Sequence, residues 1–135
     1  MKDVAEFFGW VTVAFYSLAL FNFLMKAVNK KYSLKIKENK KFEEIYKTVM
    51  KYIIRYHKLI GIIAAIGLTV HASIMYFTVG LRITGLIAAS LMVLDALIGI
   101  YGYLSKKKRT DPLFNVHRVI AFILPLAIAV HLLFK

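Results

Sequence analysis

No cysteine occurs in the chain, which excludes disulfides, iron–sulfur ligation and thiolate zinc sites. Acidic residues are also few, seven Asp and Glu against nineteen Lys and Arg in 135 residues, and the formal net charge is +12. Such an imbalance would suit a nucleic-acid binder if the positive residues covered one whole surface. They do not: residues 26 to 58 hold eleven Lys and Arg against three Glu, and residues 105 to 118 hold five more against Asp111. That clustering is the positive-inside pattern of cytoplasmic loops in a membrane protein, and nucleic acid is not an expected partner. No nucleotide fingerprint, flavin motif or catalytic constellation is present, so the chain is not expected to complete a reaction on a soluble substrate alone. The N-terminus does not read as a cleaved signal peptide either. Its charged region has one Lys, Asp3 and Glu6 precede a long apolar run, and a retained helix is expected.

What the chain has in abundance is apolar residues, 60% of the total. Four runs are long enough to cross a hydrocarbon core of about 30 Å: about 5–28, 52–76, 81–104 and 112–134. Between the first two lies a basic segment, 29–51, expected on the cytoplasmic side. Its first part, 29–41, reads as a polar loop. From Phe42 onward Phe42, Ile45, Tyr46, Val49, Met50 and Ile53 recur at helical spacing, which predicts either an interfacial helix or an extension of the second span. Thr78 to Gly80 reads as a tight turn that makes the second and third spans antiparallel neighbours. Asp111-Pro112 supplies an N-cap and a first-turn proline for the fourth. The basic loops follow the first and third spans, so both termini are expected outside a cytoplasmic membrane. The fold class expected is all-α, an integral membrane up-down-up-down four-helix bundle in one transmembrane domain.

The chain has four histidines, and they form two pairs: His57 and His71 in the second span, His117 and His131 in the fourth. Each pair is 14 residues apart, two heptads, which places both imidazoles on one helix side about 21 Å apart. Up-down-up-down order makes these two spans parallel. His57 then shares a depth with His117 near the cytoplasm, and His71 with His131 near the outer face. Two imidazoles at each of two depths is the ligand set for two haems, and with no Cys-x-x-Cys-His site they would be b-type, held through the histidines alone. The third span carries Gly85 and Gly99, also 14 apart. Reflection across the Thr78 turn sets Gly85 level with His71 and Gly99 level with His57, where haem ring edges need room. Ala5 and Ala19 repeat the spacing in the first span, but alanine is common there. A single membrane histidine or glycine is ordinarily a packing residue; four histidines in matched pairs form a pattern.

Other residues fit around it. Asp95, one turn before Gly99, is expected to approach the bundle interior as a proton relay or as a plain hydrogen-bonding carboxyl. Arg55, Lys58 and Arg118 flank the inner level and Arg82 and Lys135 the outer, where cations can pair with haem propionates or serve only as topology signals. Pro125 removes the helical bond to the carbonyl of Ala121 and is expected to bend the fourth span between the two levels. Trp10, Tyr52, Tyr56, Tyr76, Tyr101 and Tyr103 cluster near span ends as an interface belt.

These residues together resemble the N-terminal haem-binding half of cytochrome b from quinol-oxidising respiratory and photosynthetic complexes. The two His-x13-His helices carry the likeness over residues 52 to 135. Ile53-Ile54-Arg55-Tyr56-His57 is similar to the start of that family's second helix, where an Arg contacts a propionate. Phe122 to Ala129 with His131-Leu132-Leu133-Phe134 is similar to its fourth helix, and Gly85 and Gly99 match its paired glycines. Arg55 precedes its histidine by two residues where the family has three, and Pro125 falls about one turn later. No Pro-Glu-Trp-Tyr sequence, the family's outer quinol-site mark, is present. The resemblance thus implies the haem scaffold ahead of any particular quinone chemistry, and small di-haem membrane-anchor cytochromes use similar spacings. The function expected is transmembrane electron transfer by two b haems between the quinone pool and a protein redox partner, as a subunit of an oxidoreductase complex. A proton or metal transport or assembly protein that uses the intramembrane histidines is the alternative. It fits less well, because groups 21 Å apart cannot share an ion.

Overall fold

The structure is a computed structural model that describes residues 1–108 and 111–134. Its regular elements are four α-helices: α1 (Lys2–Glu38), α2 (Lys40–Thr78), α3 (Ile83–Leu104) and α4 (Pro112–Leu133). Each is long and apolar enough to cross a membrane, which makes this an all-helical, multi-pass membrane protein. Helices α3 and α4, 22 residues each, match the expected spans to within two residues. They are about 33 Å long, one hydrocarbon thickness. At 37 and 39 residues, α1 and α2 are much longer.

The extra length corrects one expectation: residues 29–38 are helical, not loop. No glycine or proline occurs between Gly9 and Gly61, and Lys and Glu are good helix formers, so polarity alone does not stop the helix. Only Tyr32 departs from helical dihedrals, with φ −120° and ψ 22°. The break falls at Asn39, whose Oδ1 accepts from the Phe42 amide at 3.2 Å while its carbonyl accepts from Glu43 N–H at 2.9 Å. An Asn in this role is a strong helix start. Of the two readings of residues 42–53, the extension of the second span is the one found.

The chain divides into two compact units, Trp10–Ala64 and Met1–Gly9 with Ala65–Lys135. In the first, α1 turns back into α2 at Asn39, and Met25, Ile36 and Tyr46 are buried together with Met50 and Ile53 packed on them. The Tyr46 hydroxyl donates to the Met25 carbonyl. Tyr46→Phe removes that bond and leaves the ring, so a loss of about 1 kcal/mol is expected, read by denaturation in detergent.

The second unit contains the beginning of α1, the latter half of α2, and α3 and α4. Helix α2 closes with the amides of Val79 and Gly80 both donating to the Met75 carbonyl, and Gly80 takes φ +88°, a conformation glycine adopts without strain. Helix α4 starts as expected. Asp111 caps it by accepting from the Leu113 amide at 3.0 Å, and Pro112 follows at the first position. That bond, and Lys107 3.4 Å away, hold the Asp111 carboxyl below its ordinary range. The cap is therefore present above about pH 4 and is lost as pH falls through the depressed value. Protection of the Leu113 amide against hydrogen exchange, relative to its intrinsic rate, should fall in that acid window and not at neutral pH.

Helices α3 and α4 run antiparallel, with Gly85 against His131, Gly99 against His117 and Gly102 against Phe114. On α3 the contact seam is Gly85, Ala88, Met92, Asp95, Gly99 and Gly102. These residues are spaced 3, 4, 3, 4, 3, and Ala88, Met92, Asp95 and Gly102 among them are buried. That is a heptad seam in which Gly85, Ala88, Gly99 and Gly102 are small, and it lets two backbones approach closely. Ile120 and Leu124 are the buried residues on the α4 side. Helix α4 remains helical through Pro125.

Candidate histidine site

Three histidines lie in the second unit, two of them against the α3 seam. His131 and His117 lie on α4 against two seam glycines. A Cβ at Gly85 would come within 2.8 Å of His131 Cε1, and one at Gly99 within 3.3 Å of His117 Cε1. Room for haem edges is expected at both glycines; in the structure an imidazole lies against each. His71, on α2, packs against the first turns of α1, where a Cβ at Gly9 would lie 3.0 Å from its Nδ1.

Each of these rings has a partner at Nδ1. His71 Nδ1 is 2.7 Å from the Ala5 carbonyl oxygen, His117 Nδ1 is 3.1 Å from the Asp95 carbonyl oxygen, and His131 Nδ1 is 3.2 Å from the Thr84 hydroxyl. A carbonyl can only accept, so His71 and His117 donate from Nδ1–H. A neutral imidazole that does so carries its lone pair at Nε2, the tautomer of a histidine ready to bind a metal. Asp95 is buried, 7% exposed, with carboxylate Oδ1 2.9 Å from the same His117 Nδ1. The expectation that Asp95 faces inward from its place before Gly99 agrees with this.

His71 and His131 come together, with ring centroids 6.4 Å apart and planes at 78°. Metal–nitrogen bonds of imidazoles are about 2.0–2.1 Å. Adding about 1.1 Å from nitrogen to ring centroid, two imidazoles on opposite sides of one metal have centroids roughly 6.3 Å apart. The observed separation thus fits a bis-imidazole iron, the geometry of a b haem held by two histidines. Among the described residues no three His, Cys, Asp or Glu side chains gather into a cage for a bare metal ion. A haem requires only two protein ligands, since the porphyrin supplies the rest.

His57 is half-buried and belongs to the Trp10–Ala64 unit, whereas His117 belongs to the other. The basic residues have local roles. Arg55 lies 5.9 Å from the Tyr56 ring centroid, Arg118 donates to Asn115 Oδ1 at 3.0 Å, and both are exposed, as is Lys58. Arg82 donates to the Phe134 carbonyl at 3.0 Å and so closes the C-terminus of α4. Lys135 lies outside the described residues. The six belt aromatics, Trp10, Tyr52, Tyr56, Tyr76, Tyr101 and Tyr103, are exposed.

Gly9 and Thr84 were not singled out from sequence, and Ala5, a residue 0% exposed, was noted only for its 14-residue spacing to Ala19 and not as a carbonyl acceptor. Ala5 and Gly9 are one turn apart, the small-xxx-small spacing of close helix contacts, and that signal could have found them. Thr84 carries no signal beyond its place beside Gly85. Compared with protein-family models, curated proteins and solved structures, the chain matches none of them.

Proposed function

We propose that the protein is a di-haem b-type cytochrome of the membrane, a four-helix up-down-up-down bundle that carries electrons across the bilayer between the quinone pool and a protein redox partner. One observation carries the reading: the His71 and His131 ring centroids lie 6.4 Å apart, edge to face, at the separation two imidazoles on one iron would have. Their 14-residue counterparts, His57 and His117, are the second ligand pair on the strength of helical register. Haem bound by these histidines would supply a one-electron couple.

The chain's own residues do the holding. Ala5 fixes the plane and tautomer of His71 by accepting its Nδ1–H, and Asp95 does so for His117. Gly9, Gly85 and Gly99 keep the space in which the three rings lie. Arg55 and Arg118, exposed near His57 and His117 in sequence, are the cations for propionates at the inner level. Arg82 donates to the Phe134 carbonyl and serves the end of α4. Asp95, beside His117, remains the candidate for proton relay, and a proton or metal transporter is the second reading. The two-histidine set weighs against it for metals, because structural and catalytic zinc sites use three or four protein ligands.

Purified protein should be coloured, with a low-spin b-type spectrum and about two haems per chain. Protein that is colourless and cannot be reconstituted with haem would sink the proposal.

A further inference from the structure

Helix α2 has 39 residues, a length of about 58 Å, whereas a bilayer with its headgroups is about 40–45 Å thick. One end must stand in water. No Lys, Arg, Asp or Glu occurs from Leu59 to Thr78, while Lys40, Lys41, Glu43, Glu44, Lys47 and Lys51 crowd the start, so the basic N-terminal end is the one beyond the bilayer. One face of that end is covered: Tyr46 is buried with Met25 and Ile36 of α1, and Met50 and Ile53 pack on them. A second face is not. Phe42, Ile45, Val49, Tyr52, Tyr56 and Leu59 are all exposed, at spacings of 3, 4, 3, 4 and 3 residues. They form an unbroken heptad stripe about 25 Å long, in which the Tyr52 and Tyr56 rings stack in parallel with centroids 6.2 Å apart. Lipid can cover the Leu59 end. Phe42, Ile45 and Val49 lie among the charged residues, where large apolar side chains left in water cost free energy.

We infer that this stripe is a homodimer seam, in which α2 of one protomer packs in parallel on α2 of its partner from Phe42 to Leu59. Both copies enter the bilayer the same way round, so a two-fold axis along the membrane normal sets each stripe residue against its own counterpart. A heptad stripe is complementary to itself in that register. Most of the positive charge stays off it: Lys40, Lys47, Lys51 and Lys58 each stand two residues from a stripe residue, about 160° around the helix, and Lys47 pairs with Glu43 at 2.6 Å. Lys41 and Arg55 border the stripe, at the rim of such a seam, and Arg55 lies 5.9 Å from the Tyr56 ring of its own chain. An anionic lipid surface or an acidic protein would use lysines and apolar residues on one face; here they are largely on opposite faces. About two and a half heptads are short for a free coiled coil, but each helix is already folded against α1, and confinement to one bilayer raises the effective concentration of the two copies. The seam is independent of the haem reading.

The chain has no cysteine, so a single introduced thiol can form a disulfide only between copies. In oxidised membranes, Ile45→Cys and Tyr52→Cys should crosslink about tenfold faster than Lys47→Cys and Lys51→Cys, whose sulfurs would be held about 20 Å apart on the far sides of the paired helices. Val49→Lys places a charge in the seam at an exposed position; combined with Ile45→Cys it should slow that crosslinking about tenfold and leave helix content unchanged. Equal crosslinking at all four positions, none at Ile45→Cys and Tyr52→Cys, or a rate indifferent to Val49→Lys would overturn the seam. So would a thiol in Ile45→Cys that is shielded from a water-soluble maleimide without crosslinking, since lipid or another protein would then cover the stripe. The presence or absence of haem bears on none of these outcomes.

Discussion

Replacing His71 with alanine is expected to halve the haem content, from about two per chain to about one, and His131→Ala should do the same to the same haem. The two ring centroids lie 6.4 Å apart, and neither histidine alone would complete the ligand pair of a b haem. Loss of one axial imidazole leaves five-coordinate, high-spin iron or an empty site. The double variant should then be no worse than either single, because both remove one site. That non-additivity is the signature of shared ligation. Haem-to-protein ratio and the low-spin absorbance of the reduced protein measure it. Equal loss of both haems in His71→Ala would instead mean that the ring pair holds the bundle together generally, and the assigned pairing would fail.

Adding one methyl group at Gly85 is expected to have the next largest effect. A Cβ there meets His131 Cε1 at 2.8 Å and Nδ1 at 3.2 Å, closer than packed side chains tolerate, and the ring must turn or the helices must part. Overpacking of this kind costs about 1–3 kcal/mol. It should also loosen the His131 contact with Thr84 and weaken haem retention at that level. At Gly99 the clash is milder, 3.3 Å to His117 Cε1, so Gly99→Ala should be intermediate. Gly61→Ala is the internal control: no atom lies within 4 Å of its added methyl, and alanine is the better helix former, so that variant should be neutral or more stable. Thermal unfolding in detergent and haem content of the three variants should rank Gly85→Ala worst, Gly99→Ala next and Gly61→Ala unharmed. Equal behaviour of Gly85→Ala and Gly61→Ala would remove the steric argument.

How legible the site was from sequence varies residue by residue. The 14-residue repeat of histidines and glycines could be read because a heptad returns to the same helix face, and the α3 seam shows that same repeat in three dimensions. Asp95 could be read as inward-facing because it falls on that seam. The Nδ1 partners of His71 and His131 could not be read. Ala5 contributes a backbone carbonyl, which every residue has, and Thr84 is one hydroxyl among several, so neither leaves a compositional trace. The loop expected over 29–41 failed for a related reason. Polarity marks where the chain leaves the hydrocarbon, whereas helix ends are set by caps and breakers, and here the only cap is Asn39.

By itself the sequence determined that this is a membrane protein with four crossing helices, where three of them end near their caps and turns, and which face of each histidine helix is inward. Those properties follow from hydrophobic length, turn chemistry and helical period, all local to a segment. Tertiary structure alone decided that α1 and α2 continue as helices to meet at Asn39, that the seam glycines face imidazoles, and that a carboxylate stands behind His117 while a carbonyl and a hydroxyl stand behind His71 and His131. Those depend on which backbones come close enough to touch, and closeness is a property of the packed pair that no single segment encodes.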